Sequence, residues 1–276
     1  MIQKVFYFPQ TFPIFQEAYD FFVNTKKQTA TQHLFTNKQL RTLLVPIMVE
    51  QLLSSLMGTA DTMMVSNVGS AAISAVSLVD AINILVIQAL SALAAGGAIL
   101  CSQYLGSQNL KKAKRSAEQV LFVMLVLSCS LSLLCLIFRF PLLRLIFGTV
   151  DTDVMANSQI YFFFTLLSFP FIGLYDAGAS ILRAQNNTKG PMTISILSNF
   201  LNIGGNAILI FVFGMGVAGA AISTLVSRIF CAIVVIWQLR NPAEQIYVRN
   251  YFSIRPDWSL IKRCLLYTSD AADDLT

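Results

Sequence analysis

Six apolar runs set the rhythm of the chain: residues 43–65, 71–101, 119–138, 159–182, 191–213 and 217–239. Each is about as long as the 20 or so residues that carry a helix across roughly 30 Å of hydrocarbon. The second run is longer than one crossing needs, which predicts a tilted helix or one that projects beyond the lipid. Two of the connections are short, Asn67–Ser70 and Gly214–Gly216. Two others, Ser107–Glu118 and Ala184–Gly190, are polar and basic. The pattern predicts an all-α fold, a polytopic transmembrane helical bundle of six spanning helices over residues 41–240.

The runs are not uniformly apolar. In the first, Glu50, Ser54, Gly58 and Asp61 follow an i, i+4, i+8, i+11 pattern, which reads as one stripe of a helix. A carboxylate near the middle of a bilayer costs about 2.5 kcal/mol or more on insertion scales, so it is kept where it faces protein or water. The other runs repeat the pattern. Ser77, Asp80, Asn83, Gln88 and Ser91 mark the second; Ser168, Asp176 and Ser180 the fourth. Ser195, Asn199, Asn202 and Asn206 mark the fifth, and Thr224, Ser227, Arg228 and Cys231 the sixth. Single hydroxyls and amides are read as interhelical hydrogen bonders. The acids are read as marks of an ion or substrate path, foremost Asp61 and Asp176, with Glu50 and Asp80 as further cavity residues. Arg228 is expected to pair with one of them. Four acids against one arginine leave an excess of negative charge, which suits a proton, a sodium ion or an organic cation. Ala92 with Gly96, Gly216 with Ala220 and Gly219 with Ser223 have the small-xxx-small spacing of close helix contacts. Pro170, six residues before Asp176, reads either as a flexing point or as a static kink.

Composition agrees with a membrane protein whose partner is the lipid bilayer. Charged residues make up 12% of the 276, against about 25% in soluble domains. The net charge of +5 gives no reason to expect nucleic acid, because the basic residues lie between the apolar runs. Sixteen of them fall on one side, in the amino-terminal arm, the two basic connections and the carboxy-terminal region; Arg139 and Arg144 alone fall on the other. That asymmetry predicts a multi-pass protein of the cell membrane with both termini cytoplasmic. The five cysteines form no CxxC pair and the one histidine is His33. Disulfide framework and zinc site are therefore not expected, and no cofactor is.

The two ends read differently from the middle. Residues 1–40 form an aromatic, proline-interrupted arm that either lies on the membrane surface or precedes the true start, since FTNKQLRTLLVP from Phe35 reads as a natural entry into the first helix. Residues 241–263 read as a cytoplasmic linker. Residues 264–276, beginning CLLYTSDAADD, resemble a translated sequencing adapter and are excluded from fold reasoning.

Four stretches in order, PIMVEQLLSSLMGTADTMMVSNVG at 46–69, SALAAGGAILCSQYLG at 91–106, LRAQNNTKGPM at 182–192 and GMGVAGAAISTLVSR at 214–228, resemble the amino-terminal half of multidrug and toxic compound extrusion (MATE) transporters. The resemblance covers about residues 35–263. It implies one six-helix lobe of a two-lobe, twelve-helix transporter, with the carboxy-terminal lobe missing from this sequence. It also implies a cavity between the lobes and export of small organic molecules, drugs or toxic cations, in exchange for protons or sodium. Against the cation site of some family members, Asp61 matches the first-helix Asp, Asn202 a fifth-helix Asn and Thr224 a sixth-helix Thr. Asn206 stands where those members have Asp, and Asp176 where they have Asn, as if the two were exchanged. The resemblance thus implies a coupling site, for a proton or sodium, of Asp61 and Asp176 with Asn202, Asn206 and Thr224.

Three other readings compete. A lipid-linked oligosaccharide flippase of the same superfamily would want more cations in the cavity than Arg228. An intramembrane enzyme would want a second GxGD or an HExxH, which the chain lacks. A lobe acting alone would expose its polar face, so this chain as written would be inactive unless two copies paired.

Overall fold

The structure is a computed structural model that describes residues 37–148, 150–248 and 256–273; the expectations for residues 1–36 lie outside it. Among the described residues, eight α-helices follow in chain order: α1 (Asn37–Ser66), α2 (Ser70–Gly106), α3 (Leu110–Ile137), α4 (Arg139–Phe147), α5 (Thr152–Ala184), α6 (Lys189–Asn206), α7 (Gly216–Gln238) and α8 (Trp258–Asp273). A π-helical stretch, Ala207–Val212, continues α6. Among the described residues, six helices are long and apolar enough to cross a membrane: α1, α2, α3, α5, α6 with its π-helical end, and α7. The chain divides into compact units at Thr42/Leu43; of the first, only 37–42 are described, and everything below concerns the second.

The helices stop where the sequence provides a reason. Gln108 and Asn186 adopt positive φ, 56° and 66°, and close the last turns of α2 and α5; Asn109 N bonds Tyr104 O and Asn187 N bonds Leu182 O, both at 2.9 Å. Asn109 then caps α3, its side chain accepting from Lys112 N at 3.1 Å. The short α4 was not foreseen: it has nine residues, too few to register as a span. The terminal α8 begins at Trp258, in the linker stretch Trp258 to Arg263 that resembles the approach to a seventh helix, and continues through residues excluded from fold reasoning.

The hub is α5, which packs against α2, α3 and α7. Pro170 lies inside it without ending it. A proline has no N–H to donate, so it leaves the carbonyl four residues earlier, Leu166 O, without its helical partner. Ser132 of α3 supplies the missing donor, its Oγ reaching Leu166 O at 2.7 Å in a buried setting. Of the two readings of Pro170, this contact favours the static one.

The apolar core has two parts. One gathers Leu100, Ala117, Leu121, Ile181, Leu182, Val235 and Leu239 at the end of the bundle where the basic connections lie, here called the basic end. The other gathers Val65, Val76, Leu143, Phe162, Phe169 and Val217 at the far end. Residues after α7 fold back onto the basic end. Gln185 exchanges hydrogen bonds with the Ile246 backbone, Asn187 Nδ2 donates to Glu244 Oε1 at 2.6 Å, and Lys114 Nζ sits 3.5 Å from the Tyr247 ring centroid. Asp257 opens α8 by donating its N–H to Gln119 Oε1 at 2.8 Å and pairing with Arg115 at 3.0 Å. Leu260, Ile261 and Cys264 are buried.

Candidate functional site

Close approach of α6 and α7 comes first. A Cβ on Gly205 would run into Ser223 Oγ, so only glycine lets the two helices meet there. Ser223 Oγ uses that proximity to donate to Asn202 O at 2.7 Å. On α7, a Cβ on Gly219 would come within 3.0 Å of the Leu209 backbone, so the Gly219/Ser223 pair makes the contact its spacing predicted. The helix widens into its π form directly after Asn206, a change of winding common beside functional sites.

This contact sets three polar side chains around the carboxylate of α1. Asn206 Nδ2 donates to Asp61 Oδ1, and Thr224 Oγ1 donates to Asp61 Oδ2 at 3.5 Å. Asn202 Nδ2 donates to Thr224 Oγ1 at 3.2 Å. All four residues are buried. Asn206 Oδ1 is buried with no hydrogen-bond partner. A buried carboxylate held by an amide N–H and a hydroxyl, beside the unpartnered Asn206 Oδ1, can take up a proton or a hard cation. Asp80 lies nearby on α2, half-buried, its Oδ1 accepting from Asn83 Nδ2 and from Tyr161 OH, each at 3.2 Å.

Asp176 is not part of this group. Glu50, Tyr175 and Arg183 form a second centre toward the basic end, with Glu50 buried and the other two partly buried; Asp176, also partly buried, follows Tyr175 in the chain. Arg183 Nη2 bonds Glu50 Oε1 at 2.7 Å, and Tyr175 OH donates to the same oxygen at 2.8 Å. The expected joint site of Asp61 and Asp176 is therefore divided in two. The reason is depth: Glu50 and Asp61 are eleven residues apart, about 16 Å along a helix. Asp176, eight residues from the basic end of its helix, sits at Glu50's level and feels Glu50 and Arg183 electrostatically.

Arg228 stands between the levels. It was expected to pair with an acid; instead Nη1 donates to Ser168 Oγ at 2.6 Å. Its charge still acts on Asp61, Asp80 and Asp176. Midway along α7, it is held by the hydroxyl at its own height while attracting acids above and below.

The first-span stripe also needs correction. Glu50 and Asp61 face inward, but Ser54 and Gly58 are exposed. At 3.6 residues per turn, Asp61 is about 20° around from Glu50, whereas Ser54 is about 40° and Gly58 about 80° away. Ser77, Gln88 and Ser91 of α2 are exposed too, while Ser195, Asn199, Asn202 and Asn206 are all buried, as their strip implied. Sequence reasoning missed Tyr161, Tyr175 and Ser168 as partners. It counted Arg183 only as a loop cation, although that residue follows Asp176 by seven positions, two turns along one face. Among the described residues, no group of three or more His, Cys, Asp or Glu is placed to hold a metal ion.

Comparison with known proteins completes the picture. The family model described as MatE matches residues 46–208. The chain is similar to an uncharacterized transporter, YisQ, of Bacillus subtilis, with 33% identity over 196 residues, 69% of this chain and 42% of that protein. It is similar to a probable multidrug resistance protein, NorM, of Thermotoga maritima, with 28% identity over 83% of this chain and 49% of the other. A solved MATE family transporter of the MOP superfamily in an outward-facing conformation superposes with a TM-score of 0.75 at 25% identity, over 83% of this chain and 50% of that one. The chain thus spans about half the length of the relatives it matches.

Proposed function

Since the chain belongs to the MatE family of multi-pass membrane transporters, we propose that it forms one lobe of a cation-coupled antiporter that exports drugs or toxic organic cations by alternating access. In this reading the lobe works beside a second six-helix lobe, its substrate is a small organic molecule, and its chemistry is transport rather than catalysis. Relatives named for multidrug resistance and toxin extrusion support the substrate class. The observation that carries the coupling assignment is the Asp61 centre: a buried carboxylate of α1 bonded to side chains of α6 and α7. A charge placed there ties three helices together, and a proton or sodium ion arriving at Asp61 weakens or replaces those bonds. Asn206 Oδ1, unpartnered and buried, is an oxygen ready for the incoming ion. The flippase reading is not favoured, because Arg183 and Arg228 are engaged by Glu50 and Ser168 and leave no paired cations for a diphosphate.

The test is drug susceptibility in cells without their own efflux pumps, expressing this lobe together with a second six-helix lobe. Wild type is expected to raise resistance to cationic drugs, and Asp61→Asn to abolish that resistance at equal membrane abundance. Equal resistance from both would refute the coupling assignment; no resistance from either would refute the export reading.

A further inference from the structure

The short helix α4 lies between two spanning helices, where α3 leaves the membrane and α5 re-enters it, so topology puts it at the far lipid boundary. Its nine residues extend only about 14 Å, too little to cross. The sequence RFPLLRLIF has two arginines and no acid. One side packs inward: Leu143 is fully buried in the far part of the core, with Leu142 and Phe147 half-buried against it. The other side carries Phe140, Pro141, Arg144 and Leu145, whose i, i+1, i+4, i+5 spacing is one face of a helix. All four are exposed, Phe140 at 53% and Leu145 at 84%. Ile137 and Phe138, exposed just before them, join that apolar surface to the outside of α3. In water such a continuous surface would be costly.

The arginines are the second observation. Arg139 Cζ lies over the rings of Phe140 and Phe163, 4.5 and 5.2 Å from their centroids. Ring contacts use the flat face of the guanidinium and leave its in-plane N–H groups free. The ion pairs among the described residues are Arg115 with Asp257 and Arg183 with Glu50. Asp151 and Asp153, exposed at the start of α5, therefore pair with neither Arg139 nor Arg144.

We propose that α4 is seated in the phospholipid surface, with Phe140 and Leu145 among the acyl chains and the Arg139 and Arg144 guanidiniums on headgroup phosphodiester oxygens. Water suits the arginines but not the apolar face, and the acyl region suits the face but not the arginines. The boundary between headgroups and chains suits both. A planar guanidinium matches two phosphate oxygens at once. Leu143 and the Arg139–Phe163 contact tie α4 to α5, so this seat also fixes the far end of the hub helix at the lipid surface. The inference concerns this surface alone and holds whether or not Asp61 couples transport.

The experiment uses the 276-residue chain in phosphatidylcholine vesicles. Leu145→Trp in a Trp237→Phe/Trp258→Phe background leaves one tryptophan, on the outer face of α4. Lipids with brominated acyl chains are expected to quench its emission, most strongly with the bromines near the headgroup. Emission that no brominated lipid quenches places that face in water or against protein and overturns the proposal. Quenching that is lost when a second six-helix lobe is present would assign the face to that lobe and overturn it too. The phosphate contact is tested in the unaltered chain by phenylglyoxal modification, read by peptide mass spectrometry and normalised to dissolved N-acetylarginine. Arg139 and Arg144 are expected to react more slowly in phosphatidylcholine than in digalactosyl diacylglycerol, which has no phosphate. Equal rates in the two lipids would overturn the assignment of phosphate to these arginines.

Discussion

Ser132→Ala probes how the hub helix tolerates a proline in its middle. Leu166 O has lost its intrahelical donor to Pro170, and Ser132 Oγ at 2.7 Å replaces it in a buried position. Leaving a buried carbonyl unpaired costs about 1–3 kcal/mol. Polar contacts between membrane helices average about 0.6 kcal/mol and reach about 1.7, because the denatured chain also finds partners. The short distance and full burial place this contact in the upper part of that range, so Ser132→Ala should cost about 1.5 kcal/mol. Pro170→Ala restores an N–H at residue 170 and returns Leu166 O to the helix ladder. In that background the serine is redundant, and its removal should cost under about 0.5 kcal/mol, a coupling of about 1 kcal/mol. Reversible unfolding in mixed micelles, followed by far-ultraviolet circular dichroism, measures all four corners of the cycle. Additive effects, or a neutral Ser132→Ala in the wild-type background, would refute the argument that the hydroxyl compensates for the proline.

Gly205→Val should wedge α6 away from α7, since even a Cβ collides with Ser223; a loss of about 1–3 kcal/mol is expected in the same unfolding assay, and a wild-type value would contradict the packing described. Asp257 is held below the ordinary carboxylate range by the Ser259 hydroxyl, with backbone N–H groups and Arg115 adding to it. A depressed carboxylate stabilises above its unfolded value and loses that contribution as pH falls through its folded one. Protection of the amides at the start of α8, corrected for the intrinsic exchange rate at each pH, should therefore be high near neutrality and fall as pH drops below the usual aspartate value. Asp257→Asn should make that protection independent of pH.

Much of the architecture was legible because a bilayer imposes it. Backbone groups in lipid must be paired within a helix, so each crossing leaves an unbroken apolar run, and 191–213 and 217–239 differ from the observed spans by one or two residues. The run at 119–138 missed the first turns of α3, where Lys111, Lys112, Lys114 and Arg115 carry the helix out of the apolar stretch. The strip on α6 was legible since Asn is costly facing lipid and four of its polar positions recur at helical spacing. The pairing of acids was not. Spacing within one helix says which face a residue takes, but the height at which two helices meet depends on loop lengths and helix ends. Composition pairs Asp61 with Asp176, yet their heights separate them: Asp61 is bonded by Asn206 and Thr224, and Asp176 lies toward the basic end, nearer the level of Glu50. Arg183 was hidden by its place at the end of an apolar run, where an arginine ordinarily counts toward orientation rather than toward a buried pair.

The most direct check on the coupling claim is efflux of a fluorescent organic cation from proteoliposomes containing this lobe together with its second lobe, under an imposed proton or sodium gradient. Wild type should release the dye only when one of the two gradients is present. Asp61→Asn should ignore both gradients yet still exchange internal dye for external dye. Gradient-driven efflux by Asp61→Asn at the wild-type rate would contradict the assignment of Asp61 as the seat of coupling.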